Sequence, residues 1–87
     1  MSRYGKFIDC PAGRWTVIYE APNWGGISIW SDRTTSVRWR RFSDTPPWYW
    51  GGRTVLETGN NDSGFGYPSH YLRVEVRPDA DFIVRVF

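Results

Sequence analysis

The stretch YLRVEVR, Tyr71–Arg77, alternates without a break: Leu72, Val74 and Val76 fall on one face of an extended chain, and Arg73, Glu75 and Arg77 on the other. A period of two marks a strand with one buried face, because successive Cβ atoms of an extended backbone point to opposite sides. Other segments carry the pattern less cleanly. In WTVIYE (15–20), Trp15, Val17 and Tyr19 share one face, with Thr16, Ile18 and Glu20 opposite. In SVRWRRF (36–42), Val37 and Trp39 share a face, after which Arg41 reads inward and Phe42 outward. That conflict predicts a bulge or strand end near Arg40. GISIW (26–30), RTVLE (53–57) and FIVRVF (82–87) complete the set, and KFID (6–9) is the weakest member. Pro and Gly punctuate the intervals, and no window between them holds a helical period for three turns. About seven short strands separated by turn signals predict an all-β sandwich, a single domain over residues 1–87.

Composition bounds what such a domain can do. With 87 residues the core is small, so aromatics must carry much of the burial; 18% of the chain is Phe, Trp or Tyr. Cys10 is the only cysteine, which excludes an intrachain disulfide and a cysteine-based zinc site and reads as a small buried thiol. Ten of the 11 cations are Arg, the residue that stacks on rings and pairs anions in a fork geometry. A GC-rich genome accounts for that bias equally well. No apolar run is long enough to cross a bilayer, and the first residues lack the apolar region of a signal peptide. The expectation is a cytoplasmic or virion-associated protein, with no membrane contact.

Two segments read as loops. SDTPPWYWGG (43–52) cannot form a central strand, because Pro46 and Pro47 lack ladder donors. It displays Trp48, Tyr49 and Trp50. TGNNDSGFGYPSH (58–70) is a longer, turn-rich loop.

YEAPNWGG (19–26) asks for a different explanation. A strand enters a tight turn at Ala21-Pro22-Asn23 and leaves through Trp24 and Gly25-Gly26 into a second strand, with glycine supplying positive φ at the fold-back. Tyr19, Glu20, Trp24 and Gly26 occupy the places of an aromatic–Glu pair, three residues, an aromatic, any residue and Gly. This resembles the Greek-key motif of the βγ-crystallin superfamily. The preceding CPAGRW (10–15) is similar to its microbial branch, which includes the family I36 peptidase inhibitors. SDRTTSVRW (31–39) resembles that branch's calcium-binding stretch, with Ser31 where Asn or Asp stands in the family. The resemblance implies a βγ-crystallin-like Greek-key sandwich and a calcium site using Asp32, Arg33 and Thr35. Carboxylate, hydroxyl and carbonyl oxygens suit that hard ion. No other cofactor is expected. WYWGGRTVLE (48–57), with PSHYLRVEV (68–76) as its closing strand, resembles a second, degenerate key.

The chain is expected not to be an enzyme. His70 is the only histidine, and neither its spacing to Ser69, Asp62 or Cys10 nor the pair Asp79 and Asp81 suggests a reacting geometry. The expected function is a protein-interaction or structural module, a small component of a larger assembly such as a virion or capsid surface. A protein partner or homo-oligomer would contact Trp48, Tyr49, Trp50, Arg41, Arg53 and Trp24. One alternative is the crystallin-like peptidase inhibitor or antimicrobial protein that the resemblance implies. The other is a nucleic-acid or host-factor binder using Arg38, Arg40 and Arg41 with Trp39 and Phe42, against which the net charge of +2 counts.

Overall fold

A computed structural model describes residues 5–62 and 64–87. Among the described residues eight strands run in order: β1 (Phe7–Cys10), β2 (Thr16–Asn23), β3 (Ser28–Ser31), β4 (Thr35–Ser43), β5 (Tyr49–Leu56), β6 (Gly59–Asp62), β7 (Ser69–Pro78) and β8 (Phe82–Val86). They form two antiparallel four-stranded sheets, ordered β1-β8-β3-β6 and β2-β7-β4-β5.

The pairings nest. β4 pairs β5, β3 pairs β6, β2 pairs β7 and β1 pairs β8. The chain is thus one long antiparallel ribbon, folded back at residues 44–48 and wrapped so that successive rungs fall in alternate sheets. Contacts of β3 with β8 and of β4 with β7 close the wrap. Both inner faces are apolar, and Ile18, Ile29, Val37, Leu72, Val74 and Val84 are fully buried between them.

The expected phase of β7 agrees with the structure: Leu72, Val74 and Val76 are buried. That of β2 does not. The register shifts between Val17 and Tyr19, so Ile18 is an extra residue and both Ile18 and Tyr19 point inward. Upstream of the bulge the phase is reversed, and Val17 lies opposite Glu75 on the outer face. The bulge expected near Arg40 is absent, since β4 pairs β5 residue for residue from Thr35 to Phe42. Arg41 turns inward at the end of the sandwich, where ring faces and carbonyls receive it.

Two further expectations change. YEAPNWGG is not a hairpin: β2 and β3 lie in different sheets, and residues 24–27 carry the chain across. Gly25 and Gly26 are not among the glycines with positive φ. The close approach belongs to Gly66, where a Cβ would sit 2.8 Å from the Gly25 carbonyl oxygen and 3.1 Å from the Gly26 Cα. The other glutamate–tyrosine features of the stretch tie the crossing down. Tyr19 Oη donates to the Pro22 carbonyl at 2.6 Å, Asn23 Oδ1 accepts from Tyr67 N at 3.1 Å, and Glu20 Oε2 accepts from Tyr71 Oη at 2.8 Å.

The loop read at 58–70 hides a strand. GNND has no apolar alternation, yet pairs with β3 as an edge. Asn61 anchors it, its side-chain nitrogen donating to the carbonyls of Glu57 and Gly59 and its oxygen accepting from Glu57 N.

Candidate interaction surface

Three loops gather at one end of the sandwich: residues 24–27, 44–48 and 64–68. Tyr67 Oη donates to the Pro46 carbonyl, and Thr45 Oγ1 reaches the Pro68 carbonyl at 3.5 Å. The 44–48 loop is the tip of the ribbon and contains a cis Pro46–Pro47 bond. Ser43 closes its base. Ser43 Oγ lies 2.6 Å from the Thr45 carbonyl and 3.1 Å from that of Pro47, and Ser43 N donates to Trp48 O at 3.0 Å.

This base displays large apolar side chains. Trp48, Tyr49 and Trp50 are 65%, 56% and 54% exposed. Only Trp48 lies in the loop; Tyr49 and Trp50 begin β5, an edge strand whose second side is unpaired among the described residues. The proline argument against a central strand therefore agrees with the structure, while the reading of 49–52 as loop is corrected. Tyr49 shares the outer face with Phe42, ring centroids 5.2 Å apart. Trp50 lies opposite Arg41 in the register. Trp24 is also exposed, packed edge-on against His70 at the same end.

The two arginines grouped with these aromatics go elsewhere. Arg41 is half-buried beneath the loops. Its Nη1 lies within 3.3–3.5 Å of the carbonyls of Gly64, Phe65 and Gly66, and its guanidinium carbon 4.7 Å from the Tyr67 ring centroid. Burial lowers its pKa, and the carbonyl and ring faces compensate the charge. Arg53 sits on the outer face of β5, closer to the opposite end. Its Nη1 approaches Asp79 Oδ2 at 3.2 Å and Ser36 Oγ at 3.1 Å.

Sequence reasoning missed the neighbours of Arg53. Arg38 lies opposite Arg53 on one side and opposite Arg77 on the other. No local signal announces this row, because it joins three strands. Of the RWRRF arginines only Arg38 is open. Arg40 is bound to Glu75 and stacks over Trp15 at 4.0 Å.

The oxygens considered for calcium are engaged within the chain. Asp32 Oδ1 accepts from Ile83 N at 2.9 Å, the Arg33 carbonyl accepts from Ser31 Oγ at 2.6 Å, and Thr35 Oγ1 lies 3.4 Å from the Ser36 carbonyl. Among the described residues no group of three His, Cys, Asp or Glu side chains gathers to hold a metal.

The residues weighed for catalysis are scattered. His70 is the second residue of β7, at the aromatic end, whereas Cys10 ends β1 at the other. Ser69 is buried and donates to the Tyr67 carbonyl at 3.1 Å. Asp81 accepts from Ala12 N, while Asp79 faces Arg53. Burial, then the charges of Asp9 and Asp32, push the Cys10 thiol from 9.0 up to about 12. Native Cys10 is expected to resist alkylation at pH 8, reacting only after denaturation. Its linkage has a definite sign. The folded state holds the thiol proton where the unfolded state releases it, so this stabilisation is complete below pH 9 and is lost as pH rises towards 12. Urea midpoints measured at pH 8 and 10.5 should fall less for Cys10→Ala than for the native chain; equal falls would disprove the assignment.

Comparisons with protein-family models, curated proteins and solved structures give no match. No helix among the described residues is long and apolar enough to cross a membrane.

Proposed function

We propose that this domain is a non-enzymatic interaction module, a structural component of a larger assembly, and that it docks through Trp48, Tyr49 and Trp50. The observation that carries this reading is the exposure of three consecutive large aromatics on a base already fixed by hydrogen bonds. Aromatic anchors that are held before binding lose little entropy on contact. The side of β5 that is unpaired among the described residues offers a second attachment mode, since such an edge can add a strand from a partner.

The strand order supports the reading by analogy. The order β1-β8-β3-β6 over β2-β7-β4-β5 is similar to that of double-sheet jelly rolls, an architecture used by viral capsid and lectin domains. Folds host unrelated functions, so the aromatic surface carries the proposal and the fold lends it a setting. A capsid or virion-surface component is the version this analogy favours. The inhibitor reading gains nothing from YEAPNWGG. Tyr19 and Asn23 serve the domain's own loop crossing, and Trp24 packs on His70.

The test is sedimentation of the protein from its native source and after purification, over a range of concentrations. Association with itself or with a larger particle is expected. Trp48→Ser with Trp50→Ser should weaken it at least about 30-fold, the effect of losing one strong anchor of about 2 kcal/mol. A 10.2 kDa monomer at every concentration and in native extract, or association untouched by the double substitution, would overturn the proposal.

A further inference from the structure

The outer face of the β2-β7-β4-β5 sheet carries a feature that neither folding nor the aromatic end explains. The register sets Arg53, Arg38 and Arg77 side by side on adjacent strands. Strands are spaced about 4.8 Å apart, so the three cations share a row about 10 Å long. Like charges directly opposed across strands destabilise a sheet. Among the described residues the row has one carboxylate partner, Asp79 on Arg53 at 3.2 Å. Glu75 on the same face is taken by Arg40 and Arg73, and Glu20, at the far end, accepts from Tyr71. Arg38 and Arg77 are exposed and without an ion-pair partner among the described residues.

The row lines a groove of about 440 Å³ with Gly13, Pro78 and Asp79. A second depression shares Arg38 and Arg53 with it and continues to Trp15, Tyr49 and Gly51. Glycine keeps its floor flat: a Cβ at Gly51 would lie 3.1 Å from Tyr49 Oη and from the Trp39 carbonyl oxygen. Cations thus stand at one end of a continuous trough and two aromatic rings line the other.

We infer that this trough binds single-stranded nucleic acid. The arginine row would take backbone phosphates, and Tyr49 would stack an unpaired base. Fork-shaped guanidinium groups suit phosphate oxygens, and an aromatic platform suits bases that are not already stacked in a duplex. The site is separate from the contact surface at Trp48–Trp50 except for Tyr49, which borders both. Arg38 and Arg77 belong to the trough alone, so it can fail or hold independently of the proposed assembly role.

The test is fluorescence anisotropy with a labelled 15-mer of deoxythymidine between 50 and 500 mM salt. Micromolar binding is expected, with a slope of log K on log salt near −2, since about three phosphates each contribute about −0.7. Arg38→Gln and Arg77→Gln should each flatten the slope by about 0.7. Both should also raise the melting temperature, because each relieves like-charge opposition. Tyr49→Ala should weaken binding about 5- to 150-fold with the slope kept. Trp48→Ser should leave binding unchanged. A 15-base-pair duplex or a heparin fragment should bind more weakly than the single strand. No binding at 50 mM salt, a slope indifferent to Arg38→Gln and Arg77→Gln, or equal affinity for duplex or heparin would overturn the inference.

Discussion

Phe65→Ala is expected to lower the free energy of unfolding by about 3–5 kcal/mol. Phe65 lies outside the strands, between β6 and β7, yet it is 0% exposed. Its ring stacks on Trp39, with centroids 4.9 Å apart and planes 29° from parallel. The loop delivers a plug to the open end of the sandwich, and Arg41 seals it from above through the carbonyls of residues 64–66. Truncation would leave a cavity that rigid neighbours cannot close. Gly66 holds the loop against the Gly25–Gly26 backbone, so the loop cannot slide inward. Domains of this size are stable by about 5–15 kcal/mol, so the loss is a large share of the total. Urea unfolding measures it, with the slope unchanged if only stability shifts. Phe65→Leu, which keeps most of the volume, should cost under about 1.5 kcal/mol. Equal, small effects of both substitutions would show that the ring does not support the end of the core.

Glu75→Ala is expected to cost about 2–3 kcal/mol. Glu75 is 6% exposed although it points to the outer face. Its Oε1 accepts from Arg40 Nε at 2.9 Å and Nη2 at 2.7 Å, and Oε2 lies 2.9 Å from Arg73 Nε. The Arg73 contact is a close approach of charges and not an aligned hydrogen bond. Both guanidinium groups lie over Phe42, at 5.6 and 4.5 Å from its centroid. Removing the carboxylate leaves two cations facing each other over one ring. A fully buried pair broken in this way costs about 3–5 kcal/mol; the arginines are about one-third exposed, so water offsets part of the loss. Added salt should recover some of the deficit by screening the repulsion. Thermal unfolding at 20 and 500 mM salt tests both statements. A cost below about 0.5 kcal/mol, or a deficit insensitive to salt, would show that the pair does not hold β4 to β7.

The candidate surface was partly legible. Trp48, Tyr49 and Trp50 could be found because adjacent prolines forbid a central strand and aromatics beside them have little core to enter. Arg41 and Arg53 were grouped with them by nearness in sequence, but one turns inward and the other lies towards the far end. A strand sends neighbouring side chains to opposite faces, so sequence proximity there separates residues. Arg38, Arg53 and Arg77 show the converse: three residues far apart in the chain meet because their strands pair.

By itself the sequence determined the all-β class, the buried face of β7 and the exclusion of residues 46 and 47 from a central strand. These are local matters, decided by side-chain alternation and by the missing proline N–H. Only the tertiary structure decided that β2 and β3 part into different sheets, that Ile18 is a bulge reversing the phase of β2, and that the polar GNND segment pairs as an edge. Alternation along a strand marks which of its faces is buried. Which strand lies beside it depends on packing summed over the whole core, and in a nested ribbon that choice unites Phe7 with Arg85 and leaves no local trace.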